Sequence, residues 1–561
     1  ILIHLLNTSL VTWLALNLNK IDSKNQIITP KIAITVGFAW AILPIAVSSS
    51  LFIIQRMTTL MAAFVFCGLI FYTKARISAK NTPEKHLVKF SFIIIIFTLL
   101  AAFSKENGIL LPIYILIIEA TLFSSVRYNS THKKWQLWKK TFLFLPLHII
   151  IIYLLYRSSY SEPILLQKGF TIGDRLATQG FVLWQYLNNA FLPSPSVLGP
   201  FHDISSQLSF SQHIIGWLLF LVFASITIFA FFYKKKPLLS FAILWFFLGH
   251  ILESTTIPLE FYFEHRNYTP LFGIIFSSIT YLFSIKRAHS LVAFSIFAYL
   301  TLVSSVTYMT TTLWGNRLLA AELWSQKNPN SVRATVHLAH QHEDANDRKG
   351  AFNTIHNFNK KHSFSLGLQI QELILSCTHT PSADHSQYLI NIHKNSKLAR
   401  YESWSSQLPE QLHSTILKHK CNNLTFRTVS EICDNLISNK RFQSSPISLF
   451  NLYALKGLVN IQYEEPEKAM KNLDTALSNH FEPNVHQLLL KIAKEQKRYD
   501  LIKKWNKKKP KKNKPRNKPR YGKNSNSTDN KAKKKKGFWG DKPKKNSKNN
   551  NKKPQGSKHG K

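Results

Sequence analysis

Ten apolar runs alternate with short polar connections over the first three hundred residues. They fall at 1–18, 32–45, 57–73, 87–103, 109–124, 141–156, 214–233, 238–252, 270–285 and 290–309. Isoleucine, leucine and phenylalanine dominate them. Several are shorter than the ~20 residues that cross a bilayer squarely. Ten buried helices in so short a stretch would nevertheless make an implausible water-soluble core. The pattern predicts an all-α multispan membrane domain over 1–309, with about ten spans. Residues 310–502 read as soluble helix. Residues 503–561 have few apolar positions and no periodicity, which predicts a disordered Lys/Asn-rich tail.

Charge gives this arrangement a direction. Every second connection is basic. Lys20, Lys24 and Lys31 precede the second run, and Lys74, Arg76, Lys80 and Lys85 follow the third. Arg127, Lys133, Lys134, Lys139 and Lys140 follow the fifth, Lys234, Lys235 and Lys236 the seventh, and Lys286 and Arg287 the ninth. The positive-inside rule assigns these to the cytoplasm. The connections 46–56, 104–108, 157–213 and 253–269 then lie outside, as does the chain after 309. The spans themselves are nearly free of charge.

The net charge of +42 would by itself suggest nucleic acid. In the tail, however, 25 Lys and Arg against 2 Asp account for 23 of those charges. On the outer side such a tail meets anionic headgroups, lipopolysaccharide or acidic glycan, and Trp505, Phe538 and Trp539 are candidates to dip into an interface. Nucleic acid is the least favoured partner. Four cysteines exclude a disulfide scaffold. Two of Cys377, Cys421 and Cys433 could pair if that part is outside the cytoplasm, with the choice left open. The chain starts at Ile1 in mid-pattern, which predicts a missing upstream segment.

The outer connections collect the unusual polar chemistry. Residues 253–268, ESTTIPLEFYFEHRNY, crowd three glutamates, a histidine, an arginine and an asparagine against a membrane boundary. Ionisable groups are expensive there and are retained mainly where they face a cavity, a partner or a substrate. The tight turn SKENG at 104–108 leaves Lys105 and Glu106 at the same side, and Arg56 stands at the start of a run. Within 157–213, Leu176, Leu183, Trp184, Leu187 and Phe191 recur at helical intervals. This predicts a helix in the headgroup layer, with Trp184 and Tyr186 as anchors. Singly, each residue reads as a cap, a snorkelling cation or an interfacial anchor. Together, the cations suit a lipid-linked phosphate, and the carboxylates suit sugar hydroxyls or a general base. Candidate donor and acceptor pocket residues are Arg56, Lys105, Glu106, Glu253, Glu260, Glu264, His265, Arg266, Asn267 and Tyr268. Nothing in the pattern asks for a metal or a cofactor.

Several strings occur in a telling order: HLLN at 4–7, IIQRMTTLMAAFVF at 53–66, SKENGILLP at 104–112 and ESTTIPLEFYFEHRNYTPLFG at 253–273. Over about residues 1–340 they resemble the bacterial relatives of the transmembrane and tetratricopeptide-repeat O-mannosyltransferases, glycosyltransferases of the GT-C class. The resemblance implies a polyprenyl- or dolichyl-phosphate sugar donor and a protein or glycan acceptor on the outer face. It also implies an inverting, metal-independent transfer. GT-C enzymes carry an acidic pair in the first outside loop, and no outside loop of 1–309 has one. The first run resembles the family's second span, so either that loop lies upstream of Ile1 or the protein lacks its base as an inactive relative would, and no catalytic residue is assigned.

In the helical part, LYALKGLVNIQYEEPEKAMKNLDTALSNHFEPN places Gly457, Ala469, Leu473 and Ala476 at the spacing where paired helices of a tetratricopeptide repeat approach. A weaker unit runs from Trp324 with Ala339, Ala351 and Ile355, whereas 360–445 aligns with no unit. Such arrays bind protein partners on a concave face. Three expectations follow. The first is a glycosyltransferase moving a sugar from a polyprenyl-phosphate carrier at the outer face of a bacterial inner membrane. The second is a membrane-anchored repeat scaffold in envelope assembly, and the third an O-antigen polymerase or ligase.

Overall fold

The computed structural model describes residues 1–21, 30–79, 82–124, 132–168, 170–195, 197–202, 209–233, 235–285, 289–396 and 399–507. The expected tail from 508, with Phe538 and Trp539, lies outside the described residues. So do Lys24, Lys80, Arg127, Lys234, Lys286 and Arg287. Every regular element among the described residues is helical. The chain divides into two compact units, Ile1–Ser448 and Leu449–Lys561.

The first unit opens with α1 (Leu2–Asn19) and α2 (Pro30–Ala41), which pack on each other. After Pro44 the chain bends by 58° into the short α3 (Val47–Leu51), as expected where a proline removes a backbone donor. α4 (Arg56–Ser78) packs on α1 and on α5 (Leu87–Ser104). α6 (Leu111–Ile118) follows directly, because the turn at 104–108 is unusually close. A Cβ on Gly108 would sit 2.2 Å from the Ala101 carbonyl carbon. α7 (Lys133–Lys139) leads into α8 (Leu145–Lys168). α9 (Ile172–Phe191) is started by a reciprocal capping box between Thr171 and Asp174, and crosses α10 (Phe210–Phe232) through Gly180 and Gly216. α11 (Pro237–Gly249) and α12 (Leu271–Phe283) pack together, and α12 also lies on α2. The unbroken 27-residue α13 (His289–Gly315) ends the apolar part and passes through residue 309.

All ten apolar runs are thus helical. Among the described residues, six helical segments are long and apolar enough to cross a membrane, or seven if the bent α2–α3 pair is one span. α11 and α12 are thirteen residues each. α1 is long enough but carries Asn7, Thr8, Ser9, Thr12 and Asn17 along its length. The apolar segments are not uniformly uncharged. Arg76 and Glu119 are buried together, 2.9 Å apart, and the Tyr72 hydroxyl also donates to Glu119 at 2.8 Å.

A second tier of helices in this unit begins with α14 (Arg317–Lys327), α15 (Val332–Asp344) and α16 (Arg348–Lys361). α15 and α16 form a hairpin that buries Ala339, Ala351 and Ile355, positions expected to face each other. α17 (Leu366–His379), α18 (Ser386–Ser396), α19 (Leu408–His419), α20 (Phe426–Ser438) and α21 (Lys440–Gln443) continue it. Cys377 and Cys421 are joined by a disulfide across 44 residues, which settles the open choice and leaves buried Cys433 outside it.

The second unit begins within α22 (Pro446–Gln462), and α23 (Pro466–Asn479), α24 (Pro483–Glu495) and α25 (Tyr499–Lys507) follow in order. Ala469, Leu473 and Ala476 are fully buried, and a Cβ on Gly457 would lie 2.6 Å from Leu473 Cδ2. Gly457 on α22 thus faces Ala469 and Leu473 on α23. Trp505 is not an interfacial anchor: it is 1% exposed and donates from Nε1 to Asp474 Oδ1 at 2.6 Å. Its helix continues to Lys507, past the expected start of the tail at 503, because Trp505 packs in the core with Val485 and Leu489.

Candidate functional site

The loop between α11 and α12 holds most of the predicted residues, and the bundle grips it from several sides. Trp245 Nε1 donates to Thr269 O at 3.1 Å and Trp40 Nε1 to Tyr268 O at 3.1 Å. The Tyr268 hydroxyl lies 2.7 Å from His4 Nδ1. His4 Nε2 faces Ala41 O at 3.0 Å and so carries the proton, which leaves Nδ1 to accept from Tyr268. Asn7 Nδ2 donates to both Tyr268 Oη and Thr59 O, tying the loop to α1 and α4.

Arg175 is the strongest anchor, and the sequence pattern alone did not mark it. It is fully buried on α9, with its guanidinium donating to Glu253 O (3.0 Å), Thr255 O (2.7 Å) and Leu259 O (2.6 Å). Burial first, and then the charge of Arg266, draw it down to about 9, so it remains a cation at neutral pH. Tyr186 supports the same loop by accepting from the Phe263 amide at 3.0 Å. It is therefore no headgroup anchor. Trp184 is 56% exposed, while Tyr186, two positions on, faces nearly the opposite side of the helix and is buried.

With the loop so held, Glu253 lies between two basic side chains, Arg266 from the same loop and Lys105 from the distant turn at 104–108. Lys105 Nζ is 3.7 Å from its Oε1 and Arg266 Nε 3.4 Å from its Oε2. All three side chains are buried. Lys105 also donates to Thr58 Oγ1 at 3.1 Å. A small cleft opens beside them, lined by Thr58, Lys105, Asn107, Tyr114, His265, Arg266 and Thr269. Arg266 Nε, Asn107 Oδ1 and Thr269 Oγ1 are buried with no hydrogen-bond partner among the described residues. Burial, followed by the charges of Lys105 and Arg266, holds His265 down at about 2, so it is neutral in the folded protein.

The remaining candidates separate. Glu264 faces away, accepting from the Gly199 amide at 2.6 Å with His202 Nε2 at 3.9 Å. Asn267 Nδ2 donates to Glu264 O at 3.3 Å. Glu260 is exposed and lies 3.9 Å from Arg333 on α15, and Arg56 and Glu106 are exposed. Of the ten candidates, the structure brings Lys105, Glu253, Arg266 and His265 together.

The electrostatics of the cluster are unbalanced. Its buried basic side chains are Lys105 and Arg266, set around the one carboxylate of Glu253. One positive charge is left over, and an uncompensated buried charge is costly unless an anion meets it. Among the described residues no three His, Cys, Asp or Glu side chains gather as metal ligands.

The neutral His265 carries a prediction. Its folded value lies below the ordinary 6.5, so the stability it contributes is present above about pH 6.5 and is lost as pH falls toward the folded value. His265→Gln removes this dependence. Its melting temperature in detergent should fall less than the parent's between about pH 6.5 and about pH 4. Parallel curves for the two proteins would contradict it.

No family model, curated protein or solved structure matches the chain.

Proposed function

We propose that this chain is a membrane glycosyltransferase that takes a sugar from a polyprenyl-phosphate carrier and passes it to a protein or glycan acceptor at the outer face of a bacterial inner membrane. One observation carries the reading: Lys105 and Arg266 are buried at the mouth of an apolar helix bundle, around Glu253, with one positive charge in excess. A donor phosphate would supply the missing anion, with Arg266 as the directional hydrogen-bond donor and Lys105 as a point charge. The same pair would stabilise the phosphate as it leaves. The isoprenoid would lie among the apolar helices. The Cys377–Cys421 disulfide supports an oxidising compartment for the second tier of helices, in agreement with the basic loops on the opposite side. The general base is not assigned.

The alternative, a membrane-anchored helical scaffold, draws support from Glu253, which already contacts both cations. Binding of polyprenyl phosphate to the full chain in lipid nanodiscs separates the two. Arg266→Ala and Lys105→Ala should each weaken it about tenfold to a hundredfold, the worth of one charge-assisted hydrogen bond. Glu253→Gln, which frees both cations, should tighten it. Affinities that none of the three substitutions changes would favour the scaffold.

A further inference from the structure

A second polar cavity, of about 580 Å³, lies between α16, α17 and α18. At its base is Glu372, only 6% exposed, on α17. Its Oε1 lies 2.7 Å from His356 Nδ1, and its Oε2 accepts from Asn359 Nδ2 at 2.6 Å. Asn359 Nδ2 also donates to Leu368 O at 3.1 Å, while its Oδ1 is buried with no hydrogen-bond partner among the described residues. Gln369 is fixed at both ends, donating to Ser363 O at 3.0 Å and accepting from Asn395 Nδ2 at 3.1 Å. The hydrogen-bonding groups are thus held in place by one another. An unsatisfied buried acceptor inside such a network is a position for a donor from outside.

The lining also restricts the ligand. No aliphatic side chain contributes to it, and Tyr388 is its one phenol ring. Ordinary ligand pockets are mostly apolar with a few polar groups. Here the proportions are inverted, so there is no slot for the apolar anchor by which a peptide side chain is usually held. The cavity suits a molecule that is polar over its whole surface, with hydroxyls that both donate and accept, and with a ring face that can rest on Tyr388. Two lysines, Lys360 and Lys394, stand at the rim, both exposed, against a carboxylate already engaged by His356 and Asn359. The uncommitted charge is positive.

We propose that this cavity binds an acidic saccharide: a uronate-bearing oligosaccharide with its carboxylate at Lys360 and Lys394 and its hydroxyls on Asn359, Asn395 and Glu372. The site is separate from the Lys105–Arg266 cleft and does not depend on the chemistry proposed there. The test is calorimetric titration of the full chain in detergent with a four-residue oligogalacturonate. Maltotetraose and tetraglutamate serve as comparators. The oligogalacturonate should bind at least about tenfold more tightly than either comparator. The double variant Lys360→Ala/Lys394→Ala should lose about tenfold or more for the oligogalacturonate and bind maltotetraose as the parent does. Both lysines are exposed, so its melting temperature should match the parent's. Tetraglutamate binding as tightly as the uronate would overturn the proposal in favour of an acidic peptide. Silence with both saccharides at millimolar concentration, or uronate binding that the double variant leaves unchanged, would overturn it outright.

Discussion

Glu119→Leu should be among the most damaging single substitutions in the apolar bundle. Arg76 is fully buried, donates from Nε to Glu119 Oε1, and lies over the rings of Phe123 and Trp135 at 4.8 and 4.9 Å. Removing the carboxylate leaves that guanidinium in low dielectric without its counter-charge. The expected cost is about 3–5 kcal/mol. Tryptophan fluorescence of purified protein, read against temperature in detergent, should show a large fall in melting temperature and a poor yield of folded material. Glu119→Gln keeps an acceptor for Tyr72 and should cost less. The double variant Glu119→Leu/Arg76→Met should recover much of the loss, because it removes both desolvated charges at once. A Glu119→Leu protein as stable as the parent would mean that the pair contributes nothing to the packing of α4 against the helical turn that follows α6.

Arg175→Ala is the second. Here the loss falls on the candidate site. Three carbonyls, from Glu253, Thr255 and Leu259, would lose their donor, at about 1–3 kcal/mol each where water does not replace it. The loop would relax, and with it the position of Glu253 and Arg266. Hydrogen exchange should rise over residues 250–270 and stay unchanged in α4 and α5. Arg175→Lys keeps the charge but not the planar fork, so it should rescue only part of the protection. Uniform exchange across the chain would point to global unfolding, and unchanged exchange would remove Arg175 from its anchoring role.

The apolar periodicity made the helices legible, because burial in lipid or protein selects long unbroken runs whatever their tertiary partners. Residues 253–268 stood out for a similar reason, as charge in a costly place. Contacts between segments far apart were a different matter. Arg175 sits in an ordinary amphipathic stretch, and only its reach across about eighty residues reveals its work. The Gly199 amide and His202 at Glu264 are equally remote in sequence. Glu119 was hidden by its isoleucine neighbours, and its partner Arg76 was read with the basic loop that follows α4. Trp505 misled because a lysine-rich neighbourhood resembles a tail until Asp474 and the Val485–Leu489 core are seen beside it. The disulfide required knowing which cysteines share a neighbourhood, and spacing does not tell.

α13 runs 27 residues without a break, about 40 Å at the rise of an α-helix, and a single residue, Asn316, separates it from α14. A hydrocarbon layer is about 30 Å thick. Such a strut adjusts to a thinner bilayer by tilting, and the tilt is carried to the next helix with little slack to absorb it. With α13 across a bilayer, membrane thickness would act as a mechanical input to the helices beyond it, and lipid composition would help set their angle to the bilayer.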